Sequence, residues 1–314
     1  MKITYIDKPT YLPSWVINKI NEYGDFEVFY DFPNEEEAIN RLSSTDIAIV
    51  EWTSITKEMI EKISRLKYLI TITTSYDYID VNSLKDNEIM VSNCPQYSKQ
   101  AVAEHVFALL FAVNRKILQA DETCRKGLSH IYPPFLCSEI RDKTIGLIGI
   151  GQIGQTVAEI ANAFQMKVIG LNKSKRNVKG IQQVDITELM KKSDIISLHI
   201  PRNADTEIIL TEKLLSLMKP DAVLINTCRG NLIDEQALYS VLKQNRIRGA
   251  GLDDLTYYKD NPIIGLNNVV LTPGSAWYSY EAREKNMYEL IENIESYLAQ
   301  KPVNVILEHH HHHH

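Results

Sequence analysis

The chain has 314 residues, 44% of them hydrophobic and 24% charged, with a formal net charge of −6. These proportions suit a soluble globular protein of about two domains, and so mild an acidic balance argues against a strongly basic nucleic-acid surface or one that docks on anionic membrane. No run of about eighteen apolar residues and no signal-peptide pattern occurs, so the expected location is cytoplasmic.

The C-terminal "LEHHHHHH", 307–314, reads as an expression scar and tag. Setting it aside leaves His105, His130 and His199 as the chain's own histidines. Cys94, Cys124, Cys137 and Cys228 lack metal-ligand spacing, which predicts reduced, mostly buried thiols.

From the N-terminus, strand-like runs alternate with helix-like ones. "KITYID" precedes "PSWVINKINEYG", "FEVFYDF" precedes "NEEEAINRLSS", and "DIAIVEW" precedes "TKEMIEKISRL". "YLITITTS" precedes "YIDVNSLKDN", and "IMVSNCP" closes the series. Such alternation predicts one α/β domain with a parallel sheet of about five strands. Thr56 stands where a helix N-cap is useful.

Residues 98–117, "SKQAVAEHVFALLFAVNRKI", contain no Gly or Pro and are apolar nearly all round. Such a helix is buried on several sides. It is expected to connect two domains, and region 99–117 is the expected face of a homodimer. His105 lies inside it and reads as a structural, hydrogen-bonded histidine.

A second α/β series begins at Lys143, with strands "TIGLIG", "KVIGLN", "DIISLHI", "AVLINT", "GAGLDD" and "NVVLT". The polar helix 281–300 and "KPVNVI" then return toward the first domain. The expected domains are 1–98 plus 281–306, and 99–280.

"TIGLIGIGQIGQTVAEIANAF" is the most informative stretch. Gly149, Gly151 and Gly154 form G-x-G-x-x-G between a strand and an amphipathic helix, the context the motif requires. The three glycines allow a tight turn, backbone approach to a pyrophosphate, and close helix–strand packing. Gln152 and Ile153 open the helix, whose N-terminal N–H groups would meet the phosphates. The next strand ends in Asn172, where an NAD site usually has an acid for the ribose hydroxyl. Lys173, Ser174, Lys175 and Arg176 add donors and positive charge beside it. NADP is therefore favoured over NAD.

The motifs "TTSYDYIDV", "SNCPQYSKQAVAEHVFALL", "GLIGIGQIG", "SDIISLHIP", "MKPDAVLINTCRGNLIDEQAL", "GAGLDD" and "KPVNVI" follow one another in this order. Together they resemble the D-isomer-specific 2-hydroxyacid dehydrogenase family over nearly the whole chain. The resemblance implies α/β architecture: two Rossmann- or flavodoxin-like domains with parallel sheets and a cleft between them. It also implies an NAD(P)-dependent oxidoreductase acting on small 2-oxo and 2-hydroxy acids. By the same resemblance, Arg229 grips the substrate carboxylate and polarises its carbonyl, as a planar guanidinium suits. Asp253 lies near the nicotinamide carboxamide. Val102, His199, Pro201, Thr206, Thr227 and Cys228 line the cofactor. Ser75, standing where the family has glycine, and Tyr76 form the substrate loop. Trp277 is similar to the substrate-side tryptophan of the C-terminal-binding-protein branch.

The family's acid/base pair is missing. Its histidine follows the Thr-Pro that ends the last strand, and that position is Gly274. Its glutamate lies five residues after Asp253, and that position is Tyr258. A positioned general acid or base is worth about 10²–10⁴-fold in rate. The expected activity is reduction of a small 2-oxo acid with an atypical proton donor, Tyr258 being one candidate. The alternative is a catalytically inactive dinucleotide-binding sensor or scaffold on the same fold.

Overall fold

The computed structural model describes residues 1–172, 174–175, 177–200 and 208–307. They fall into two compact units, one of residues 1–98 and 279–307, the other of 99–200 and 208–278. No helix among the described residues is long and apolar enough to cross a membrane.

The first unit runs β1 (Lys2–Tyr5), α1 (Ser14–Asn21), β2 (Asp25–Val28), α2 (Glu35–Ser43) and β3 (Ile47–Val50). It continues with α3 (Lys57–Ile60), β4 (Tyr68–Thr71), α4 (Val81–Asp86) and β5 (Met90–Ser92). The five strands pair in parallel in the order β2-β1-β3-β4-β5. Every residue of β3 and β4 is buried, because a parallel sheet covered on both faces leaves neither face to water. Thr56 caps α3 by accepting from the Met59 N–H at 3.3 Å, but that helix is one turn where the apolar pattern predicts a longer one.

The second unit supplies α5 (Lys99–Asn114), α6 (Ile117–Arg125), β6 (Thr144–Ile148), α7 (Gln152–Ala163) and β7 (Lys167–Leu171). Then come β8 (Gln182–Gln183), α8 (Ile186–Lys192), β9 (Ile195–Leu198), α9 (Glu212–Leu215) and β10 (Val223–Asn226). Finally α10 (Glu235–Lys243), β11 (Gly249–Leu252) and β12 (Val269–Leu271) complete it. The seven strands form one parallel sheet in the order β12-β11-β10-β9-β6-β7-β8. The order reverses beside β6, and in open α/β sheets ligands bind outside the strand C-termini at such a switch point. Sequence periodicity finds six of these strands; β8, two glutamines at the edge, carries no apolar signal.

Helix α11 (Tyr280–Leu298) belongs to the first unit. Its Met287, Leu290, Ile291 and Ile294 share a core with Ile3, Tyr5, Ile49, Tyr68 and Ile70. Asn286 and Asn293 donate to the carbonyls of Ile72 and Asn93, at 2.8 and 2.9 Å.

The predicted single helix 98–117 is two helices. Helix α5 stops at Asn114, whose carbonyl accepts from Arg248 Nη2 at 2.6 Å. Lys116 then turns with φ of 50° into α6. Val106, Leu109, Leu110 and Val113 of α5 are buried in the second unit's own core, and Val102 is 8% exposed. A Cβ on Gly249 or Gly251 would come within 2.8 Å of Val113 or Leu109, so these glycines let α5 lie close on β11. All four cysteines are free thiols; against expectation only Cys94 is buried, and Cys124 is exposed.

Candidate active site

In the second unit the candidate residues follow the C-terminal ends of β6, β7, β9, β10, β11 and β12, with Val102 on α5. The loop after β6 has the geometry its glycines suggest. Gly149 has φ of +102°, and a Cβ there would lie 2.2 Å from the His199 carbonyl oxygen. A Cβ on Gly154 would lie 2.4 Å from the Gly149 carbonyl oxygen, whereas nothing lies within 4 Å of one on Gly151. The first and third glycines are thus needed by packing, and the middle one faces open space. Gly151 caps α7 without a side-chain bond, and Gln152 and Ile153 begin the helix. First-turn N–H groups lack intrahelical acceptors, so this end favours an anion.

Two polar atoms nearby lack partners. Thr227 Oγ1 and His199 Nδ1 are buried with no hydrogen-bond partner among the described residues. An unmade bond of this kind costs about 1–3 kcal/mol, which a polar ligand reaching the atom recovers. His199 Nε2 lies 2.8 Å from Ser197 Oγ, and burial pushes its imidazole down to about 4, so it is neutral near pH 7. The glycine turn, the helix end, the open space at Gly151 and these atoms fit a dinucleotide.

At the end of β7, Asn172 Nδ2 donates to the Ser174 carbonyl at 3.0 Å and lies 3.3 Å from Ser174 Oγ. The amide is engaged by its own turn, and Ser174 and Lys175 are exposed. Lys173, Arg176, Pro201 and Thr206 lie outside the described residues.

After β10, Cys228 Sγ sits 3.2 Å from the Leu198 carbonyl oxygen. Arg229 is half-buried, and its carbonyl accepts from Asn226 Nδ2 at 2.9 Å. The Gly230 N–H donates to Asp254 Oδ2 at 2.8 Å, and Glu235 Oε2 accepts from the Thr256 N–H at 2.9 Å. These bonds tie the arginine loop to the loop after β11.

Asp253 is 4% exposed, and its carboxylate organises the turn after β12. It accepts from Thr272 Oγ1 at 2.5 Å and from the Ser275 and Ala276 N–H groups at 3.0 and 3.1 Å. Its carbonyl accepts from the Gly274 N–H at 2.9 Å. Gly274 has φ of +73°, and nothing lies within 4 Å of a Cβ built there. A Cβ would meet no neighbour, but on a backbone L-residues adopt at a cost. Trp277 is half-buried, its ring 5.1 Å from that of Tyr278. Tyr258 is 47% exposed, and its hydroxyl oxygen accepts from the Leu255 N–H at 3.3 Å.

One residue read from sequence as purely structural stands in this constellation. His105 Nε2 lies 3.0 Å from Thr272 Oγ1 and 3.7 Å from Asp253 Oδ1. The available signal was its place three residues after Val102, hence on the same helical face. Thr272, which sequence reading did not single out, links the two.

Ser75 and Tyr76 belong to the first unit, after β4. Ser75 is not among the residues with positive φ, so its backbone conformation does not call for glycine. Its carbonyl accepts from Thr73 Oγ1 at 2.5 Å, and Tyr76 is half-buried.

Residues 107–276 match the family described as "D-isomer specific 2-hydroxyacid dehydrogenase, NAD binding domain". A glyoxylate reductase of Thermococcus litoralis is 36% identical over 296 residues, covering 89% of this chain and 89% of that protein. A D-3-phosphoglycerate dehydrogenase of Methanocaldococcus jannaschii is 36% identical over 290 residues, which is 90% of this chain but 55% of that longer protein. This chain therefore spans about half the length of that relative. The crystal structure of a D-lactate dehydrogenase from Aquifex aeolicus, complexed with NAD and lactic acid, superposes with a TM-score of 0.86 at 26% identity. That similarity covers 99% of this chain and 100% of the other.

Proposed function

The chain belongs to the D-isomer-specific 2-hydroxyacid dehydrogenase family, and from that premise we propose that it reduces a small 2-oxo acid with a nicotinamide dinucleotide. The observation that carries this reading is Arg229 in its motif, on a loop tied to the one that follows Asp253. A bound reduced nicotinamide supplies the hydride, and the protein supplies alignment and charge. In this reading Arg229 holds the substrate carboxylate and polarises its carbonyl. The Ser75–Tyr76 loop and Trp277 are assigned to substrate. Val102, Gly149, Gly151, Gly154, Gln152, Ile153, His199, Thr227, Cys228 and Asp253 are assigned to the cofactor.

The test is steady-state oxidation of NADH and NADPH with a panel of 2-oxo acids. Tight cofactor binding with turnover at background would replace this reading by the second one, a dinucleotide-binding sensor or scaffold. Gly274 and Tyr258 in place of the family pair favour that second reading. Tyr258 keeps its hydroxyl hydrogen while its oxygen accepts from Leu255, so it can donate a proton.

The NADP preference rests on Asn172, which presents no carboxylate to a ribose 2′-phosphate. Asn172→Asp is expected to move selectivity toward NADH by roughly tenfold or more, since a like charge is then set against the phosphate. Fluorescence titration with both reduced cofactors reads this. An unchanged ratio would remove Asn172 as the determinant.

A homodimer is also proposed through the 99–117 region, with its contact at the C-terminal end of that region and on into α6. The apolar face of α5 is consumed within its own unit, whereas α6 has no buried residue. Ile117 and Leu118 are 52% and 56% exposed, and Leu136 is 79% exposed. Replacing Ile117 and Leu118 together by Glu is expected to give a monomer by sedimentation at unchanged helicity. A wild-type monomer, or a persistent dimer in the variant, rejects this contact.

A further inference from the structure

Resting on the reductase reading, we propose that His105 holds and delivers the proton of the reaction. Asp253 serves as its carboxylate partner through Thr272, and the open space at Gly274 is the way to the substrate.

The hydrogen bonds decide which nitrogen works. Thr272 Oγ1 has one hydrogen and gives it to Asp253 Oδ1 at 2.5 Å. Across the 3.0 Å to His105 Nε2, the imidazole must then be the donor. That places the hydrogen of the neutral ring on Nε2 and leaves the lone pair on Nδ1. Nδ1 has no hydrogen-bond partner among the described residues, and it is not sealed off, since the side chain keeps 19% of its surface. An imidazole clamped at one nitrogen by a carboxylate chain, with the other nitrogen accessible, is the arrangement of a general acid–base group.

Its position suits the task. His105 shares a face of α5 with Val102, and its Nε2 meets the ends of β11 and β12, where Asp253, Thr272 and Gly274 lie. Asp253 is the charge it meets. On α5 itself Lys99 and Glu104 are exposed, and Glu104 accepts from Gln100. Glu159 on α7 is exposed, Arg248 before β11 donates to Asn114 and Leu136, and Arg125 on α6 pairs with Asp121. The strands β10, β11 and β12 carry no charged side chain.

When the carbonyl carbon gains a hydride from a reduced nicotinamide dinucleotide, the carbonyl π pair becomes an oxygen lone pair. That oxygen takes the proton leaving Nδ1 of the doubly protonated His105 ring, over a water in the space at Gly274, and the ring is left neutral. The hydrogen on Nε2 stays there, donated to Thr272 Oγ1, Asp253 stays a carboxylate held by the Ser275 and Ala276 N–H groups, and solvent returns a proton to Nδ1.

The deciding variant is His105→Gln, whose amide keeps a donor for Thr272 but carries no titrating proton. Its kcat for 2-oxo acid reduction is expected to fall roughly 10²-fold or more with KM little changed. The fall of the wild-type rate with rising pH that a proton-donating side chain imposes is expected to vanish. A purely structural histidine would be rescued by Gln in both respects. Tyr258→Phe runs in parallel, and loss of turnover there with H105Q intact overturns the proposal in favour of the tyrosine.

A second readout needs no turnover. Calorimetry of oxamate, an unreducible 2-oxo acid analogue, binding to the NADH complex in two buffers of different ionisation enthalpy measures linked proton uptake. Uptake in wild type that is lost in H105Q is expected; no uptake in wild type, or equal uptake in both, overturns the assignment. The two readings fail separately. Cofactor binding without wild-type turnover sinks the reductase reading, whereas wild-type turnover untouched by H105Q sinks only this one.

Discussion

Arg229→Ala is expected to lower kcat/KM for 2-oxo acid reduction by roughly 10³–10⁵-fold, the largest catalytic effect expected of any single residue here. Each charge-assisted hydrogen bond to a carboxylate is worth about 1.5–3 kcal/mol, and a donor at a developing oxyanion about 2.7–4 kcal/mol. Arg229 would supply both kinds of contact, and every 1.36 kcal/mol is a factor of about ten. Arg229→Lys restores the charge without the paired, planar donors, so it should recover only part of the loss. The local backbone has its own supports, including Asn226 Nδ2 on the Arg229 carbonyl and Asp254 on the Gly230 N–H. NADH affinity and the thermal midpoint of the alanine variant are therefore expected near wild type. A drop below about tenfold, measured by steady-state kinetics, would show that the guanidinium does not hold the reacting acid.

The largest expected effect on stability is at Gly149. An alanine there must adopt φ of +102° and place its Cβ 2.2 Å from a backbone oxygen of His199. Backbone strain of this kind costs about 1–3 kcal/mol, and forced overpacking about 1–3 kcal/mol more. Gly149→Ala should thus lose on the order of 2–6 kcal/mol in urea unfolding of the second unit and abolish dinucleotide binding. Gly151→Ala is the contrast, since its Cβ meets nothing within 4 Å. It should unfold like wild type yet bind NADH at least roughly tenfold more weakly, because the methyl occupies room meant for the pyrophosphate. If the two variants unfold alike, the division of labour among the glycines is wrong.

Much of this was legible beforehand, for identifiable reasons. Apolar runs of β-branched residues between helical patterns mark buried parallel strands, and β3, β4, β9 and β10 are buried throughout. The edge strand β8 was not legible, because two glutamines have no apolar signature. Helix α5 read as too long because its end is set by Arg248, more than a hundred positions away, taking the Asn114 carbonyl. No glycine or proline marks that stop. The turn after β12 read as a strand end lacking its histidine; that Asp253 holds it with three hydrogen bonds could not be read from spacing.

The sequence by itself determined two parallel-sheet α/β domains, a glycine-rich loop after β6, an arginine in a recognisable motif, and glycine and tyrosine at the two places where the resemblance leads one to expect a histidine and a glutamate. Each is local: a periodicity, a short spacing or a residue type at one place in a motif. Only the tertiary structure decided what stands beside the vacated position. His105 and Thr272 are 167 residues apart in the chain and 3.0 Å apart in space. Helical spacing says which face of α5 carries the imidazole, but not what that face meets. The answer depends on how closely α5 lies on β11, which the glycines of that strand allow, and on the turn that Asp253 ties.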